Sequence, residues 1–298
     1  MRGTIHLLTA DDYHWIVALT AETSLPGAHR RLAQLGVTGD QPARAVRAIE
    51  RMLAADGPLT RAEITDRLAR LGIETEGQAA IHLIRLAALE GVVCYGPDDP
   101  GTPRFVLVRD WIRSGRPRDP SSAPGELASR YLVAHGPAGP QDFASWSGLR
   151  ASVARAAWAQ VSGTLREVEA PGGSLWMLRS QRKAAGSVRS APAASAVRLV
   201  PAYDPYLLGW QTRELSVPER HQRDVFPGGG LLRPTVVTDG LAVGTWTVSR
   251  RRNPPEVSIR PFSRLSPAVR GAVAADAEDV GRFLDPEAGV SIEWERSR

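Results

Sequence analysis

The residues best suited to chemistry lie in the stretch LVPAYDPYLLGW, residues 199–210, where one acid stands among aromatic side chains. Asp204 is a candidate catalytic carboxylate, because such a group can position water and stabilise positive charge that develops in a transition state. Tyr203, Tyr206 and Trp210 could stack on the flat face of a ligand. The alternative is a plain turn, in which Asp204 caps local backbone and the aromatic rings fill a core.

A second group of candidates is cationic. His221, Arg223 and Arg233 flank the glycine-rich residues 226–230, which would let the backbone approach a ligand or a phosphate closely. Arg251 lies in a run of three arginines, for which phosphate contact and simple solvation are equal alternatives. Residues 179–196 form a basic linker whose cations, either phosphate-binding or solvated, are Arg179, Arg182, Lys183 and Arg189.

Composition limits the classes of function. The net charge of +5 and the isoelectric point of about 9.9 favour a polyanionic partner. Cys94 is the one cysteine, which excludes an internal disulfide and a CxxC metal site and indicates a reducing cytoplasm. No HExxH, GxSxG or Walker pattern occurs, so the sequence predicts neither a metal nor a cofactor. It also predicts no membrane span or secretion signal, and hence a cytoplasmic protein. We further expect a monomer that associates with the nucleoid.

A winged helix is predicted in residues 57–108. Thr60 and Glu63 have capping-box spacing, and Ile64, Leu68 and Leu71 would give the helix that follows an apolar face. A second helix is predicted at about residues 78–90, and strands at 92–95 and 104–108 flank a turn-rich tip at 96–101.

The second helix is mostly apolar, with one polar stripe of Gln78, His82 and Arg85. In a helix-turn-helix such a stripe reads base edges in the major groove, and Arg104 on the wing would contribute a further cation. The alternatives are that the stripe only solvates an exposed helix, or that the winged helix contacts another protein.

This unit is repeated. Gly136-Pro137 matches Gly57-Pro58 79 residues later, and helices are predicted at 126–134, 141–146 and 150–161 with strands at 164–169 and 174–178. Leu149, Val153, Ala157 and Val161 would form the apolar ridge, which leaves Arg150 and Arg155 facing outward. Two copies of one pattern predict tandem winged helices.

The remaining segments predict an incomplete start and a β-rich end. Residues 1–8 are predicted to be a strand, 9–12 to open a helix, 20–40 to be a loop, 40–53 a helix and 112–125 a linker. From residue 197, five or so strands and a helix at 267–284 indicate a small β-barrel-like domain. The predicted class is α+β, with a remnant of a first winged helix (1–40), two winged helices (41–111 and 125–180) and a barrel-like domain (196–298).

Five stretches carry a family resemblance in this order: RGTIHLLTADDY, YLVAHGPAGPQDFASWSGL, LVPAYDPYLLGW, VFPGGGLLRPTVVTDGLAVGTW and PFSRL. They resemble the winged-helix DNA-binding family that includes the YcaQ/AlkZ-type DNA glycosylases. The resemblance implies a C-shaped array of winged helices closed by a β-barrel and cradling duplex DNA. Some members cleave the N-glycosidic bond of bulky alkylated purines or unhook interstrand crosslinks.

The resemblance also implies a departure at the start. MRGTIHLL is similar to the wing of a first winged helix, and the glycosylases' glutamine-containing catalytic motif precedes that wing. We therefore expect this N-terminal winged helix to be absent, through a misassigned start or real loss. The favoured hypothesis is a protein that binds double-stranded DNA, alkylated or crosslinked duplex included, in DNA repair. The alternatives are an active DNA glycosylase, in which Asp204 stabilises an oxocarbenium-like sugar, a sequence-specific transcriptional regulator, and a protein-interaction module.

Overall fold

The computed structural model describes residues 4–97, 102–113, 115, 118–170, 173–181, 196–251, 254–287 and 289–296. The chain divides into two compact units, one of residues 1–131 with 147–164 and the other of residues 132–146 with 165–298. The described residues combine helices with three small sheets, which confirms the α+β class. The predicted domain boundaries stay a prediction.

The predicted winged helix forms in the first unit. Its elements are β1 (Leu59–Thr60), α3 (Arg61–Arg70), α4 (Ala79–Leu89), β2 (Val93–Tyr95) and β3 (Arg104–Leu107). The three strands pair antiparallel in the order β1-β3-β2, with Leu59 opposite Phe105 and Val93 opposite Leu107. The predicted tip at residues 98–101 lies outside the described residues.

The predicted capping box and apolar face of α3 are confirmed, except at Leu71. The Thr60 backbone N–H donates to Glu63 Oε2 at 2.7 Å and the Glu63 N–H donates to Thr60 Oγ1 at 3.2 Å, which is the predicted capping box. Ile64 and Leu68 are fully buried. Leu71 is 47% exposed and does not join them, because α3 ends at Arg70 and the chain then turns away.

The loop predicted for residues 20–40 is wrong as far as residue 34. A single helix, α1 (Ala10–Gln34), continues through Pro26. Proline costs this helix a backbone hydrogen bond, and burial of Ala21, Ala28 and Leu32 offsets the cost. The next helix, α2 (Gln41–Asp56), begins as predicted and continues three residues further.

The strand predicted at the N-terminus is wrong where it can be checked. Residues 5–9 have no regular structure, Ile5 and Leu7 are exposed, and residues 1–3 lie outside the described part of the chain. A strand is stable only when a neighbour pairs with it, and no described strand pairs with this segment.

The elements of the second repeat occur in the predicted order. After a short helix α5 (Val108–Trp111) they are α6 (Ala123–His135), α7 (Pro140–Ser147), α8 (Ala151–Val161), β4 (Leu165–Ala170) and β5 (Gly173–Leu178). The linker predicted at 112–125 therefore ends where α6 begins, at Ala123. Residues 171 and 172 of the predicted tip lie outside the described chain.

The C-terminal region is an open sheet and not the predicted barrel. Its strands β6 (Val197–Val200), β7 (Thr235–Thr238), β8 (Leu241–Ser249), β9 (Glu256–Pro261) and β10 (Ser291–Trp294) lie in the order β10-β9-β8-β7-β6. Among the described residues, β6 and β10 stay apart as the two edges. Helix α11 (Pro267–Leu284) covers one face, where Val273 and Ala277 pack against Val257 and Ile259. That helix supplies the cover that closure would otherwise provide.

Candidate functional site

A cleft opens on the face of the C-terminal sheet that α11 does not cover. Side chains alternate along a strand, so Thr245 on β8 and its partner Arg260 on β9 point away from the core that Trp246 and Ile259 enter. The cleft has a cavity of about 270 Å³ that reaches Arg233. A smaller cavity of about 110 Å³ adjoins it, since the same two arginines and the same threonine line both. We call this place the sheet cleft.

Arg233 is brought to the cleft by the glycine-rich turn. Gly228, Gly229 and Gly230 all have positive φ, at 106°, 61° and 78°, conformations that favour glycine over other residues. The chain therefore reverses here, and it returns beside the short helix α10 (Gln222–Val225). The Arg233 backbone N–H donates to Val225 O at 2.9 Å, and its Nη1 donates to Asp224 O at 3.0 Å. The glycines thus position a cation.

Arg260 is held by an acid at the sheet edge. Its Nε and Nη2 lie 2.6 and 2.5 Å from the same oxygen, Oε2 of Glu295. The neighbouring Thr245 is only 8% exposed, and no described residue forms a hydrogen bond with its hydroxyl. The floor of the cleft therefore combines a fixed guanidinium with an unused hydroxyl.

His221 and Asp224 form a pair on one wall. Arg220 Nε–H donates to His221 Nε2 at 3.1 Å, so Nε2 is the acceptor and the proton belongs on Nδ1. That Nδ1 lies 3.1 Å from Asp224 Oδ2, and the imidazole ring stacks on Phe262 with centroids 4.1 Å apart. The pair holds a carboxylate at the edge of the cleft. Arg223, on the same helix, is exposed and does not line it.

Asp204, the acid predicted from the sequence as a catalytic candidate, forms a local hydrogen bond. Asp204 Oδ1 accepts the Tyr206 backbone N–H at 2.9 Å and so caps the short helix α9 (Pro205–Leu208). The Tyr206 hydroxyl donates to Gly240 O at 2.6 Å, and burial raises its pKa. The Trp210 indole donates to Pro137 O at 3.1 Å. These contacts match the turn interpretation, and none of these three residues lines the sheet cleft.

Tyr203 differs from its neighbours. It has φ of 62°, which a non-glycine residue rarely adopts, and its side chain is 51% exposed. Its ring is therefore available to a ligand, as the sequence predicts, although it lies outside the cleft lining. Stacking by Tyr203 stays a prediction.

The polar stripe on α4 is close to α1. Arg31, in the last turn of α1, donates from Nη2 to Gln78 Oε1 at 2.8 Å. His82 is half-buried, and its Nδ1 has no hydrogen-bond partner among the described residues. Burial lowers the pKa of His82, and the nearby charges of Arg85 and Arg31 lower it further. The stripe is thus partly occupied by the protein itself, and its role in reading DNA stays a prediction.

The sequence predicts four further arginines as DNA contacts. Arg104 donates to Pro58 O at 3.4 Å and lies 3.8 Å from Glu63, and Arg150 lies 3.5 Å from Glu22 of α1. Arg155 and Arg251 are exposed and have no ion pair among the described residues. The predictions on Arg182, Lys183, Arg189 and Arg252 fall outside the described residues. Arg155 and Arg251 are the two whose guanidinium groups are uncommitted.

Sequence reasoning named His221 and Arg233 but missed the residues that complete their cleft. Asp224, Thr245, Arg260 and Phe262 come from a helix, two strands and the PFSRL stretch. One signal was present, because the polar residues of GTWT and SIRP alternate with apolar ones and therefore share a sheet face. Within the described residues, no helix is long and apolar enough to cross a membrane, and no group of three metal-ligating side chains occurs.

Repeated helix–helix–hairpin elements and a cleft with two arginines on an open sheet are features typical of α+β proteins that bind nucleic acid. The chain belongs to the DNA glycosylase AlkZ-like family, which matches residues 1–283. It is 27% identical to the interstrand DNA cross-link repair glycosylase of Streptomyces sahachiroi over 298 residues, 95% of this chain and 77% of that protein. The solved structure of Streptomyces sahachiroi DNA glycosylase AlkZ is similar, with a TM-score of 0.76 and 25% identity over 99% of this chain and 80% of that one.

These likenesses confirm the family resemblance. They extend over nearly the whole chain and give no evidence of a missing N-terminal part. The expected absence of a first winged helix therefore stays a prediction.

Proposed function

We propose that this protein acts in DNA repair by binding damaged duplex DNA, with bulky alkylated purines or interstrand crosslinks as its lesions. The observation that carries the proposal is the family match over residues 1–283, supported by a similar protein that is an interstrand DNA cross-link repair glycosylase. The net charge of +5 supports it too, because duplex DNA is bound largely through arginine–phosphate contacts.

The reaction we propose is hydrolysis of the N-glycosidic bond. Water attacks the sugar C1′, the C1′–N bond breaks, and its electron pair leaves with the purine. An alkylated purine is already cationic and so leaves as a neutral base without being protonated. What the protein must supply is a carboxylate that takes the proton of the water and offsets charge on the oxocarbenium-like sugar.

Two carboxylates are candidates for that task. Asp204 follows from the sequence, and only one of its oxygens caps α9. Asp224 follows from the structure, where His221 holds it at the sheet cleft. Asp204 is the candidate predicted from the sequence, and the experiment below tests both carboxylates. If neither carboxylate is catalytic, the protein binds damaged DNA without cleaving it.

The test combines release with binding. A bulky-alkylated duplex is incubated with the protein, released purines are quantified, and affinity for the same duplex is measured in parallel. Release that is lost in Asp204→Asn or Asp224→Asn but retained in Asp239→Asn, a matched change in the β7–β8 turn, supports hydrolysis by this chain. Binding without release supports the binding role alone. Absence of both sinks the proposal.

A regulator that reads sequence through Gln78, His82 and Arg85 is the weaker alternative. Arg31 already occupies Gln78, and His82 is half-buried beside it. Selection of binding sites from random duplexes distinguishes the two functions, since a regulator enriches one sequence and loses that preference in Arg85→Ala. A repair protein of the kind we propose enriches none.

A further inference from the structure

We propose that the sheet cleft is a binding subsite for one phosphodiester group, held by Arg233, Arg260 and the hydroxyl of Thr245. The chemistry requires only a phosphodiester anion, and the choice of the DNA backbone as its source rests on the proposed function.

Arg233 supplies the uncommitted charge. Of its guanidinium nitrogens only Nη1 has a described partner, the backbone oxygen of Asp224 at 3.0 Å. Nε and Nη2 therefore remain for two parallel hydrogen bonds, the geometry in which arginine binds phosphate. The bond to Asp224 O also fixes the plane of the group, so less side-chain freedom is lost when an anion binds.

Thr245 and Arg260 supply the other donors. They are opposite residues on β8 and β9, so the hydroxyl and the guanidinium lie on the same sheet face. Thr245 is 8% exposed and lines the cavity, so its hydroxyl can form a hydrogen bond with a ligand that enters the cleft. Arg260 uses Nε and Nη2 for Glu295 and leaves Nη1 for the ligand.

The carboxylates around the cleft favour a monoanion over a dianion. Glu295 is paired with Arg260, and Asp224 accepts a hydrogen bond from His221. Glu293, on β10, lies 3.4 Å from the Ser258 hydroxyl at the outer end of the cleft. These carboxylates oppose a phosphate dianion, whereas Arg233 offers one cation without an ion-pair partner among the described residues. A phosphodiester carries one negative charge and so fits better than a terminal phosphate.

The size of the cavity agrees with this ligand. Its volume of about 270 Å³ is many times what one water molecule needs. A phosphate group with its two ester oxygens and bridging waters fits in that space. A whole nucleotide would have to extend out of it, as the backbone of a longer nucleic acid does.

The direct test uses dimethyl phosphate, a phosphodiester monoanion without a base or a sugar. It is titrated into the ¹⁵N-labelled full chain at constant ionic strength, with chloride as the reference anion. We expect saturable shifts of the Thr245 amide and of the Arg260 Nε–H, weakened by Arg233→Gln and by Thr245→Val. Arg282→Gln is the matched control, because Arg282 is an exposed residue of α11, the helix that covers the other sheet face, and is paired with Asp279. Absence of saturable shifts in the wild type overturns the proposal.

The second test places the subsite on DNA. We expect Arg233→Gln to reduce the slope of log affinity against log salt by about 1, the effect of one lost phosphate contact, on damaged and undamaged duplex alike. The double variant Arg260→Gln/Glu295→Gln removes the second arginine without leaving its acid unpaired, and Arg282→Gln should leave the slope unchanged. Thermal unfolding of each variant checks that the fold is intact.

The outcomes separate this inference from the proposed function. A wild type that binds duplex DNA with the same salt slope as the Arg233 variant overturns the subsite and leaves the repair function standing. A reduced slope without purine release supports the subsite and counts against hydrolysis. If the wild type binds no duplex, the repair function fails, and the dimethyl phosphate titration still decides the subsite.

Discussion

The two repeats use one design at equivalent positions, 79 residues apart. In each, the residue after a Gly-Pro pair bonds to the last strand of the wing: Leu59 pairs with Phe105, and Ala138 exchanges two 2.9 Å backbone bonds with Trp176. In each, an acid accepts the backbone N–H just before a helix. Glu63 accepts from Thr60 at 2.7 Å, and the equivalent Asp142 accepts from Gly139 at 2.8 Å.

Glu63 and Asp142 differ in their other contacts. Glu63 is 46% exposed in its side chain, and its contacts stay within its own winged helix, where it caps the start of α3 and lies 3.8 Å from Arg104. Asp142 is 8% exposed, and its second oxygen accepts the backbone N–H of Gln211 at 2.8 Å. A cap that is self-contained in the first repeat therefore anchors a distant segment in the second, the one that follows α9. The position is equivalent in the two repeats, and the acid that is buried has a second role.

The largest expected effect comes from removing that anchor. Asp142→Ala leaves two backbone N–H groups, those of Gly139 and Gln211, without their acceptor in a buried place. At about 1–3 kcal/mol each, we expect the free energy of unfolding to fall by roughly 3 kcal/mol. Urea unfolding of the full chain measures it, with Glu63→Ala as the matched change in the first repeat. Equal losses in the two variants would contradict the difference described above.

Next comes the close contact beside this anchor. Gly209 has φ of −71°, which alanine also adopts, but its Cβ would lie 2.4 Å from Nδ1 of the buried His135 ring. Because the ring must move within a packed site, we expect Gly209→Ala to cost about 1–3 kcal/mol. Gly271→Ala, in open space on α11, is the control and should be neutral or stabilising by up to about 1 kcal/mol. A thermal shift of the same size for both would remove the steric explanation.

A smaller effect tests the cap in the first repeat. Thr60→Ala removes the side-chain acceptor of the Glu63 N–H, and we expect a loss of about 1 kcal/mol in the free energy of unfolding. The equivalent Gly139 has no side chain to offer, and an added Cβ there meets nothing closer than 3.5 Å. Gly139→Ser should therefore stabilise the chain by a few tenths of a kcal/mol. Chemical unfolding of both variants checks the pair, and a loss in Gly139→Ser contradicts the equivalence.

The sequence allowed prediction of what local spacing determines. The box of Thr60 and Glu63 and the 79-residue repeat depend on residues that are neighbours in the chain. The helix through Pro26 was missed, because only tertiary burial of residues such as Leu32 stabilises it against the lost hydrogen bond. The open form of the last sheet could not be predicted either. Alternation of apolar and polar residues along a strand shows which face is buried, but not what covers that face.

The candidate site shows the same limit. His221 and Arg233 are predicted from the sequence because they flank a glycine run. Asp204 is predicted because aromatic residues surround it. Arg260 and Thr245 meet Arg233 only through the β8–β9 register, which no local pattern specifies. Asp204 caps the helix that follows it by accepting the backbone N–H of Tyr206, two residues later. Its position before a proline also permits this role.

The smallest expected effect is the pH dependence of the exposed cap. Hydrogen bonds from the backbone and hydroxyl of Thr60 lower the pKa of Glu63 below its usual 4.5. A lowered folded-state pKa contributes stability above the unfolded value, and that contribution is lost as the pH falls through the folded one. The stability difference between wild type and Glu63→Gln should therefore be largest near neutral pH and shrink as the pH falls below 4.5. Urea unfolding across this range measures it, with Glu278→Gln on an exposed part of α11 as the control. A difference that stays constant with pH would mean that Glu63 caps its helix by shape alone, as a neutral glutamine can, and that the first repeat keeps its acid for another reason.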